Sequence, residues 1–267
     1  MTTAFLDDRG VVEVEGDDAR ALLQRLVTND VADLRSGEAR YAALLTPQGK
    51  ILVDFLLFDA TPESGADRFL LDCPSALAAE LAKKLTMYRL RAAVRIADRS
   101  GELGVTAHWP EGPGFRDPRH PHLGTRSIGE RVHADPAARA AYEAHRIALG
   151  VPDGGRDFGY GDAFPHDANL DRLAGVDFGK GCYVGQEVVS RVHHRGTARK
   201  RIIPVTFDGR APAAGADITV GEIAIGTMGT SVAGRGLATV RTDRAAHAAA
   251  LGAPAIADGV HLSLVLA

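Results

Sequence analysis

A cysteine in a glycine-rich stretch is the first feature of this sequence that could carry chemistry. The run from Asp177 to Glu187 reads DFGKGCYVGQE, with Cys182 at its centre and glycines at 179, 181 and 185. Glycine adopts positive φ freely and lets the backbone approach a ligand closely. A cysteine acts as a nucleophile or metal ligand only as the thiolate, and Lys180 could lower its pKa. The stretch predicts a shaped loop that presents a thiol, and the alternative is a buried core cysteine, which is how we interpret Cys73.

A basic run follows this stretch. Residues 191–201 read RVHHRGTARKR and hold five cations and two histidines. One interpretation is a contact with phosphate or polyglutamate, because Arg and Lys pair with anionic oxygens. Another is a metal site formed by Cys182, His193 and His194, although adjacent histidines on an extended segment point to opposite faces. The third is a solvated linker between domains.

Two aspartates are further candidates. Asp167 lies in FPHDANLD, residues 164–171, where a carboxylate could accept hydrogen bonds from the N–H groups of a heterocyclic ligand. Asp54 ends GKILVD, residues 49–54, and an aspartate in an apolar strand needs a partner or a function. The sequence has no dinucleotide fingerprint, P-loop, HExxH motif or nucleophile elbow.

The elements that must position these residues are mixed helices and strands. Apolar residues at spacings of three and four predict a helix after Asp18 and another from Pro136 to Leu149. A hairpin is predicted around the turn 47–50, and a further helix from Pro74 to about Leu90. Residues 151–181 predict a long, packed, functional loop. Five short β-type runs between 202 and 266 predict a small barrel or sandwich, so the chain is expected to be α+β with a domain boundary near residues 195–201.

Composition limits the function classes. The chain has 267 residues, 45% apolar and 24% charged, which is ordinary for a globular protein. A net charge of −3 argues against a protein coated for nucleic acid, so direct nucleic-acid binding is not expected. Two cysteines are too few for a disulfide scaffold and indicate a reducing compartment. Residues 1–8 have no signal-like region and carry early acids, and no apolar run is long enough for a membrane span, so we expect a cytoplasmic protein without a membrane partner.

Taken together, these features resemble the YgfZ-type folate-binding proteins, relatives of the glycine cleavage T-protein that include a mitochondrial iron–sulfur assembly factor. The run KGCYVGQE, residues 180–187, is similar to the signature of that family. Residues 22–31, LLQRLVTNDV, are similar to its opening motif. The segments 146–152 and 165–170 resemble those that line the folate pocket, and 193–196 the stretch after the signature.

The resemblance implies both a fold and a role. The fold is α+β, with two interlocked ferredoxin-like lobes over residues 1–196 and a C-terminal β-barrel over residues 197–267, arranged around a central folate site. The role is that of a folate-binding accessory protein for the assembly or repair of iron–sulfur clusters. It would support 4Fe–4S enzymes, including ones that modify tRNA, with tetrahydrofolate as ligand and iron–sulfur proteins or assembly factors as partners.

The resemblance also implies roles for individual residues. Cys182 would be the functional thiol, held partly deprotonated by Lys180 and Arg191, and it would face a pocket whose other wall carries Asp167. Asp167 would contact the pterin. The remaining folate-binding set is Asn29, Asp54, Arg146, Tyr183, Gln186 and Glu187. No resident metal is expected.

Two alternatives remain open. The chain could be a tetrahydrofolate-dependent aminomethyl or one-carbon transferase of the T-protein type. The T-protein has two adjacent acids at the hairpin, and here Val53 stands in place of one of them. The T-protein glutamate of the folate pocket falls at Asp167, whose carboxylate is retracted by roughly 1.5 Å. The third reading is an RNA-contacting module that uses residues 191–201.

Overall fold

The chain forms two sheets and a closed barrel. A computed structural model describes residues 1–196, 198–250 and 253–265. The strands are β1 (Thr2–Leu6), β2 (Arg9–Glu15), β3 (Ala39–Leu45), β4 (Ile51–Asp59), β5 (Arg68–Pro74), β6 (Arg95–Asp98), β7 (Leu103–Trp109), β8 (Phe115–Arg116), β9 (Thr125–Glu130), β10 (Lys200–Thr206), β11 (Asp217–Val220), β12 (Ile223–Val232), β13 (Arg235–Arg241), β14 (Ala255–Ala257) and β15 (Val260–Leu264). The helices are α1 (Ala19–Leu26), α2 (Ser75–Arg89), α3 (Pro136–Ala148), α4 (Gln186–Arg195) and α5 (Thr242–Ala250).

The first sheet has the strand order β3-β4-β5-β2-β6, with α1 and α2 packed on it. Both helices bury apolar residues spaced three and four apart, among them Leu22, Leu26, Leu81 and Leu85. Cys73 lies in the same core and is fully buried, as the sequence predicts. The hairpin of β3 and β4 has the predicted turn, where Gly49 has a φ of 81°.

The second sheet has the order β1-β7-β9-β8 and interlocks with the first. The N-terminal strand β1 pairs with β7, whereas β2, the next strand along the chain, pairs with β5 and β6. The chain therefore starts in one sheet, crosses to the other and returns. A shared apolar core, with residues such as Leu6, Tyr41 and Val105, fills the space between them.

The C-terminal strands close into a six-stranded barrel, in the order β10-β13-β12-β11-β14-β15. Its interior is a separate apolar cluster that includes Val205, Ile218 and Val240. On its outer side, Ile202 and Leu237 belong to the core between the two sheets. The barrel is thus packed against the lobes.

The expected fold class is confirmed: the chain is α+β with a C-terminal barrel. The elements not predicted from the sequence are β1, β8, β9, β14, α4 and α5, and α4 spans residues that were assigned to the signature loop and the basic run. Thr197, the first residue of the predicted 197–267 region, and Leu266, the end of the last predicted strand, lie outside the described residues. The boundary between 196 and 197 stays a prediction. No helix in the described part of the chain has the length and apolar character needed to cross a membrane.

Buried ion pairs link the two sheets. Asp72 on β5 is fully buried and accepts hydrogen bonds from Arg9, with Nε at 2.6 Å, and from Arg126 on β9. Burial alone would raise the pKa of Asp72, but the two guanidiniums outweigh it and lower the pKa. Arg126 also donates to the hydroxyl of Tyr142 on α3, at 2.7 Å. The second sheet and α3 are therefore held to the first sheet by one carboxylate.

We expect Asp72→Asn to destabilise the protein strongly. The amide keeps the shape but leaves the buried guanidinium of Arg9 without its counter-charge and Arg126 with Asp117 alone, so the free energy of unfolding in urea should fall by roughly 3–5 kcal/mol. The exposed acid Asp33 offers a control, since Asp33→Asn should change it by less than about 0.5 kcal/mol. Because the folded pKa of Asp72 is depressed, its contribution is complete above the unfolded value of about 3.9 and is lost as the pH falls through the folded pKa. Equal stability of the two variants at neutral pH would contradict this account.

Candidate functional site

The signature loop is held to the first sheet by its own side chains. The carboxylate of Asp177 accepts hydrogen bonds from the backbone N–H of Gly179 at 2.7 Å and of Lys180 at 3.0 Å. The buried ammonium of Lys180 donates to the carbonyls of Val27 at 2.7 Å and Asn29 at 2.6 Å, just after α1. These hydrogen bonds anchor the loop at Asp177 and at Lys180, on either side of Gly179.

The other end of the loop packs on the β3–β4 turn. Gly185 has a φ of 82°, and a Cβ there would lie 2.5 Å from the carbonyl oxygen of Thr46. Any other residue would both strain the backbone and clash with the turn. Gly185 is also the N-cap of α4, so the turn fixes where this helix begins.

Cys182 is exposed between these anchors, and its thiol is free. Cys73, in contrast, is buried, and burial raises the pKa of its thiol to about 12. Burial lowers the pKa of Lys180 to about 8, and the hydrogen bonds that the structure describes for its ammonium go to the two carbonyls. Lys180 thus positions the loop. Its proposed effect on the thiol has no direct contact to support it.

The rest of the signature is divided between packing and solvent. Tyr183 is buried, and its ring centroid lies 5.4 Å from the Lys180 ammonium nitrogen. Gln186 is the first residue of α4, and its N–H donates to the carbonyl of Tyr183. Glu187 is exposed and forms an ion pair with Arg191 one helical turn later.

Asn29 and Asp54 are buried and already satisfied by protein partners. The amide nitrogen of Asn29 donates to the carbonyls of Tyr41 at 2.7 Å and Ala174 at 2.6 Å. The carboxylate of Asp54 accepts the hydroxyls of Tyr41 and Tyr160. A buried carboxylate with two hydroxyl donors meets the need that the sequence analysis identified. The structure gives both residues a structural role in the core.

Arg146 is likewise occupied. Its guanidinium donates to Glu143 and Asp157 and to the hydroxyl of Thr230 in the barrel. Burial would raise the pKa of Glu143, but Arg146 and its neighbouring arginines lower it to about 2. The space that Arg146 shares with Arg9 and Arg126 is only about 10 Å³. With these side chains placed as described, that space holds a single water at most.

Asp167 lines a larger cavity of about 320 Å³ between the loop 155–163 and the barrel. Its carboxylate accepts a hydrogen bond from the N–H of Phe164 at 3.2 Å, and burial raises its pKa. The walls combine charged and apolar side chains, among them Arg156, Phe158, Asp162, Lys200 and Met228. Cys182 is not among the lining residues. The structure therefore does not bring the exposed Cys182 together with Asp167 in this cavity.

The basic run is partly structural. The ring of His193 on α4 stacks on Phe178, with centroids 3.7 Å apart. Arg201 pairs with Asp171 through two hydrogen bonds of 2.6 and 2.9 Å. Among the described residues, no group of three His, Cys, Asp or Glu side chains is placed to hold a metal ion. The metal alternative built on Cys182, His193 and His194 therefore has no preformed geometry in that part of the chain.

Several residues that shape the cavity beside Asp167 are not predicted from the sequence. Asp157 is buried and accepts hydrogen bonds from the backbone N–H and hydroxyl of Thr230, both in the barrel strand β12. Phe158 and Met228 supply its apolar wall. The only local sequence feature that indicates a role for Asp157 is the Gly-Gly pair at 154–155, shortly before it in the long loop. The sequence does not indicate the barrel residues of the cavity, because a strand sequence does not show what packs against its outer face.

The chain matches two known domain families. Residues 7–109 match the GCVT N-terminal domain, and residues 199–267 match the CAF17 C-terminal beta-barrel domain. Among solved structures it is similar to the glycine cleavage system aminomethyltransferase T from Bartonella henselae, with a TM-score of 0.74 and 18% identity over 99% of this chain and 85% of that one. At this identity the likeness shows the fold alone.

Relatives of known name share more of the sequence. The iron–sulfur cluster assembly factor IBA57, mitochondrial, of Homo sapiens is 35% identical, covering 85% of this chain and 72% of its own length. The protein of that name from Mus musculus is 34% identical, covering 89% and 77%. The homolog from Mycosarcoma maydis is 38% identical, but the chain spans only 57% of its length.

The expected cytoplasmic location is wrong. These relatives are named as mitochondrial proteins. The expectation depended partly on the low cysteine number, which indicates a reducing compartment but does not say which one.

We expect one fast-reacting thiol in the folded protein. A disulfide reagent should modify Cys182 at once, whereas Cys73 should react at least about a hundredfold more slowly, because its core must open first. Absorbance of the released thiol should report one equivalent in the native protein and two after unfolding. Cys182→Ser should abolish the fast phase, and the matched variant Cys73→Ala should retain it. A fast phase that survives in Cys182→Ser would show that the assignment is wrong.

Proposed function

The chain belongs to the IBA57 family of iron–sulfur cluster assembly factors, and we propose that it is an accessory protein for the assembly or repair of iron–sulfur clusters. The observation that supports this most directly is the exposed thiol of Cys182 on an anchored loop. Gly179 and Gly181 flank this part of the loop with bare backbone, so a partner protein can approach closely. The partners are iron–sulfur proteins or components of the assembly machinery.

A single thiol defines what the site can do chemically. Iron–sulfur clusters are typically held by four cysteine thiolates. Cys182 supplies one ligand, so any cluster or iron it takes must be shared with a partner that brings the others. The site therefore suits transient ligation or exchange with a cluster-bearing protein. The resemblance of the signature supports a YgfZ-type role, with 4Fe–4S clients that include tRNA-modifying enzymes.

The role of the thiol can be tested in cells. In cells that lack the native protein, wild-type chain should restore the activity of a 4Fe–4S enzyme, and Cys182→Ser should leave it at the level of an empty vector. Cys73→Ala is the matched control, since it removes the other thiol and should restore activity. Full rescue by Cys182→Ser, at equal protein abundance, would exclude a function for the thiol.

We further propose tetrahydrofolate as a ligand of the cavity beside Asp167. The cavity offers a half-buried carboxylate for pterin N–H groups and apolar contacts from Phe158 and Met228. Contacts from Asn29, Asp54 or Arg146 would require breaking their present hydrogen bonds, so Asp167 is the best-supported residue of the proposed set. At the hairpin, Val53 is buried in the first core, which disfavours the transferase alternative because no second acid is available there.

Calorimetric titration with tetrahydrofolate tests this ligand. Asp167→Ala should weaken binding roughly 10- to 100-fold, since hydrogen bonds to a charged group contribute about 1.5–3 kcal/mol. Asp162→Ala is the matched control, because Asp162 lines the same cavity but is exposed and pairs with Lys50 at 3.2 Å. It should bind nearly as tightly as wild type. No heat of binding with wild type, or equal affinity of Asp167→Ala, would refute the site. Turnover of an aminomethyl donor above background would instead support the transferase alternative.

A further inference from the structure

Three large apolar side chains are exposed together at the end of α2. Met87 is 68% exposed, Tyr88 38% and Leu90 84%. Single exposed apolar residues are normal on protein surfaces, but a contiguous group marks an interaction site. An exposure of 84% also means that Leu90 projects outwards and does not lie in a groove.

The backbone at Leu90 is strained. Leu90 is the C-cap of α2, with a φ of 50° and a ψ of −107°, a backbone conformation that residues other than glycine rarely adopt. A residue with a β-carbon is strained in such a conformation. Since the side chain of Leu90 is almost fully exposed, packing within the fold does not offset this strain. A contact with another surface that buries the Leu90 side chain would offset it.

Cations surround these apolar residues. Lys83 and Met87 are four residues apart and share one face of α2, and Leu90 and Arg91 follow directly after its last residue, Arg89. Lys83 and Arg91 are exposed, and neither forms an ion pair within the described residues. Acids also lie nearby: Glu80 pairs with Lys84, and the carboxylate of Asp18 accepts a hydrogen bond from the N–H of Ala93 at 2.7 Å. Lys83 and Arg91 thus place positive charge beside the exposed apolar side chains.

We propose that this α2 tip, formed by Lys83, Met87, Tyr88, Leu90 and Arg91, docks on an anionic lipid bilayer surface. Apolar side chains beside lysine and arginine are the composition of helices that lie at a membrane interface. Lysine and arginine are attracted to an anionic leaflet, while the apolar side chains enter the headgroup boundary. A bilayer accepts a projecting apolar tip without a matching groove, which a protein partner would have to provide. This is a surface contact and not a membrane span, and it is independent of the cluster and folate proposals.

Sedimentation with vesicles tests the proposal on the full chain. With vesicles of phosphatidylcholine and about three parts in ten phosphatidylglycerol, wild type should sediment at low salt, and binding should fall as salt rises. It should not sediment with phosphatidylcholine alone. Leu90→Gly should weaken binding by about tenfold, because it removes an apolar anchor. The same variant should fold at least as stably as wild type, because glycine relieves the strain at this φ.

Control variants distinguish vesicle binding by the α2 tip from nonspecific hydrophobic adsorption of the protein. Val132→Ser removes another exposed apolar side chain, 59% exposed, from a different surface and should bind vesicles like wild type. The double variant Lys83→Glu, Arg91→Glu should lose binding at low salt, with an unchanged circular dichroism spectrum. Equal binding of Leu90→Gly and wild type would overturn the proposal. The proposal would also be overturned if wild type did not bind vesicles but captured an acidic protein that Leu90→Gly does not capture. That result would identify the partner as a protein and not a bilayer.

Discussion

A buried network of arginines and carboxylates fixes how the three parts of this molecule sit together. Asp72 in the first sheet binds Arg126 in the second, and Arg146 on α3 binds Asp157. Asp157 in turn accepts hydrogen bonds from Thr230 in the barrel. A charge taken out of water is stable only when a partner is placed with good geometry. The sheets and the barrel can therefore shift relative to one another only by breaking pairs that would then stay buried and uncompensated.

The same network determines where chemistry can occur. A related arrangement with an open centre could receive a ligand among the lobes, and the resemblance to folate-binding proteins implies such a central site. Here the arginine side chains occupy that space, and about 10 Å³ remains. More open space lies outside the network, for example in the cavity beside Asp167, which borders the barrel. The thiol of Cys182 is likewise outside it, exposed on the signature loop.

Local patterns in the sequence were sufficient for much of the fold. The periodicity of α1 and α3, the proline and glycine of the hairpin turn and the short strands of the barrel each depend on neighbouring residues. The site depended on partners far apart in the chain. Asp54 meets Tyr160, which lies 106 residues away, and Lys180 meets the carbonyl of Val27, 153 residues away. No spacing rule in a single sequence reports such pairs, so the sequence does not show that buried polar residues such as Asn29 and Asp54 have hydrogen-bond partners within the fold.

The family signature can now be divided by physical role. Lys180 ties the loop to the end of α1, Tyr183 packs beneath that ammonium, and Gly185 allows close contact with the β3–β4 turn. Each of these is used to place backbone. The thiol of Cys182 lies in solvent, and its position is set by anchors that belong to the first sheet and its connections. A partner that takes up this thiol must therefore approach the first lobe. The sulfur atom of Cys182 that such a partner meets is positioned by the anchored backbone on either side of the residue, and not by contacts of the Cys182 side chain.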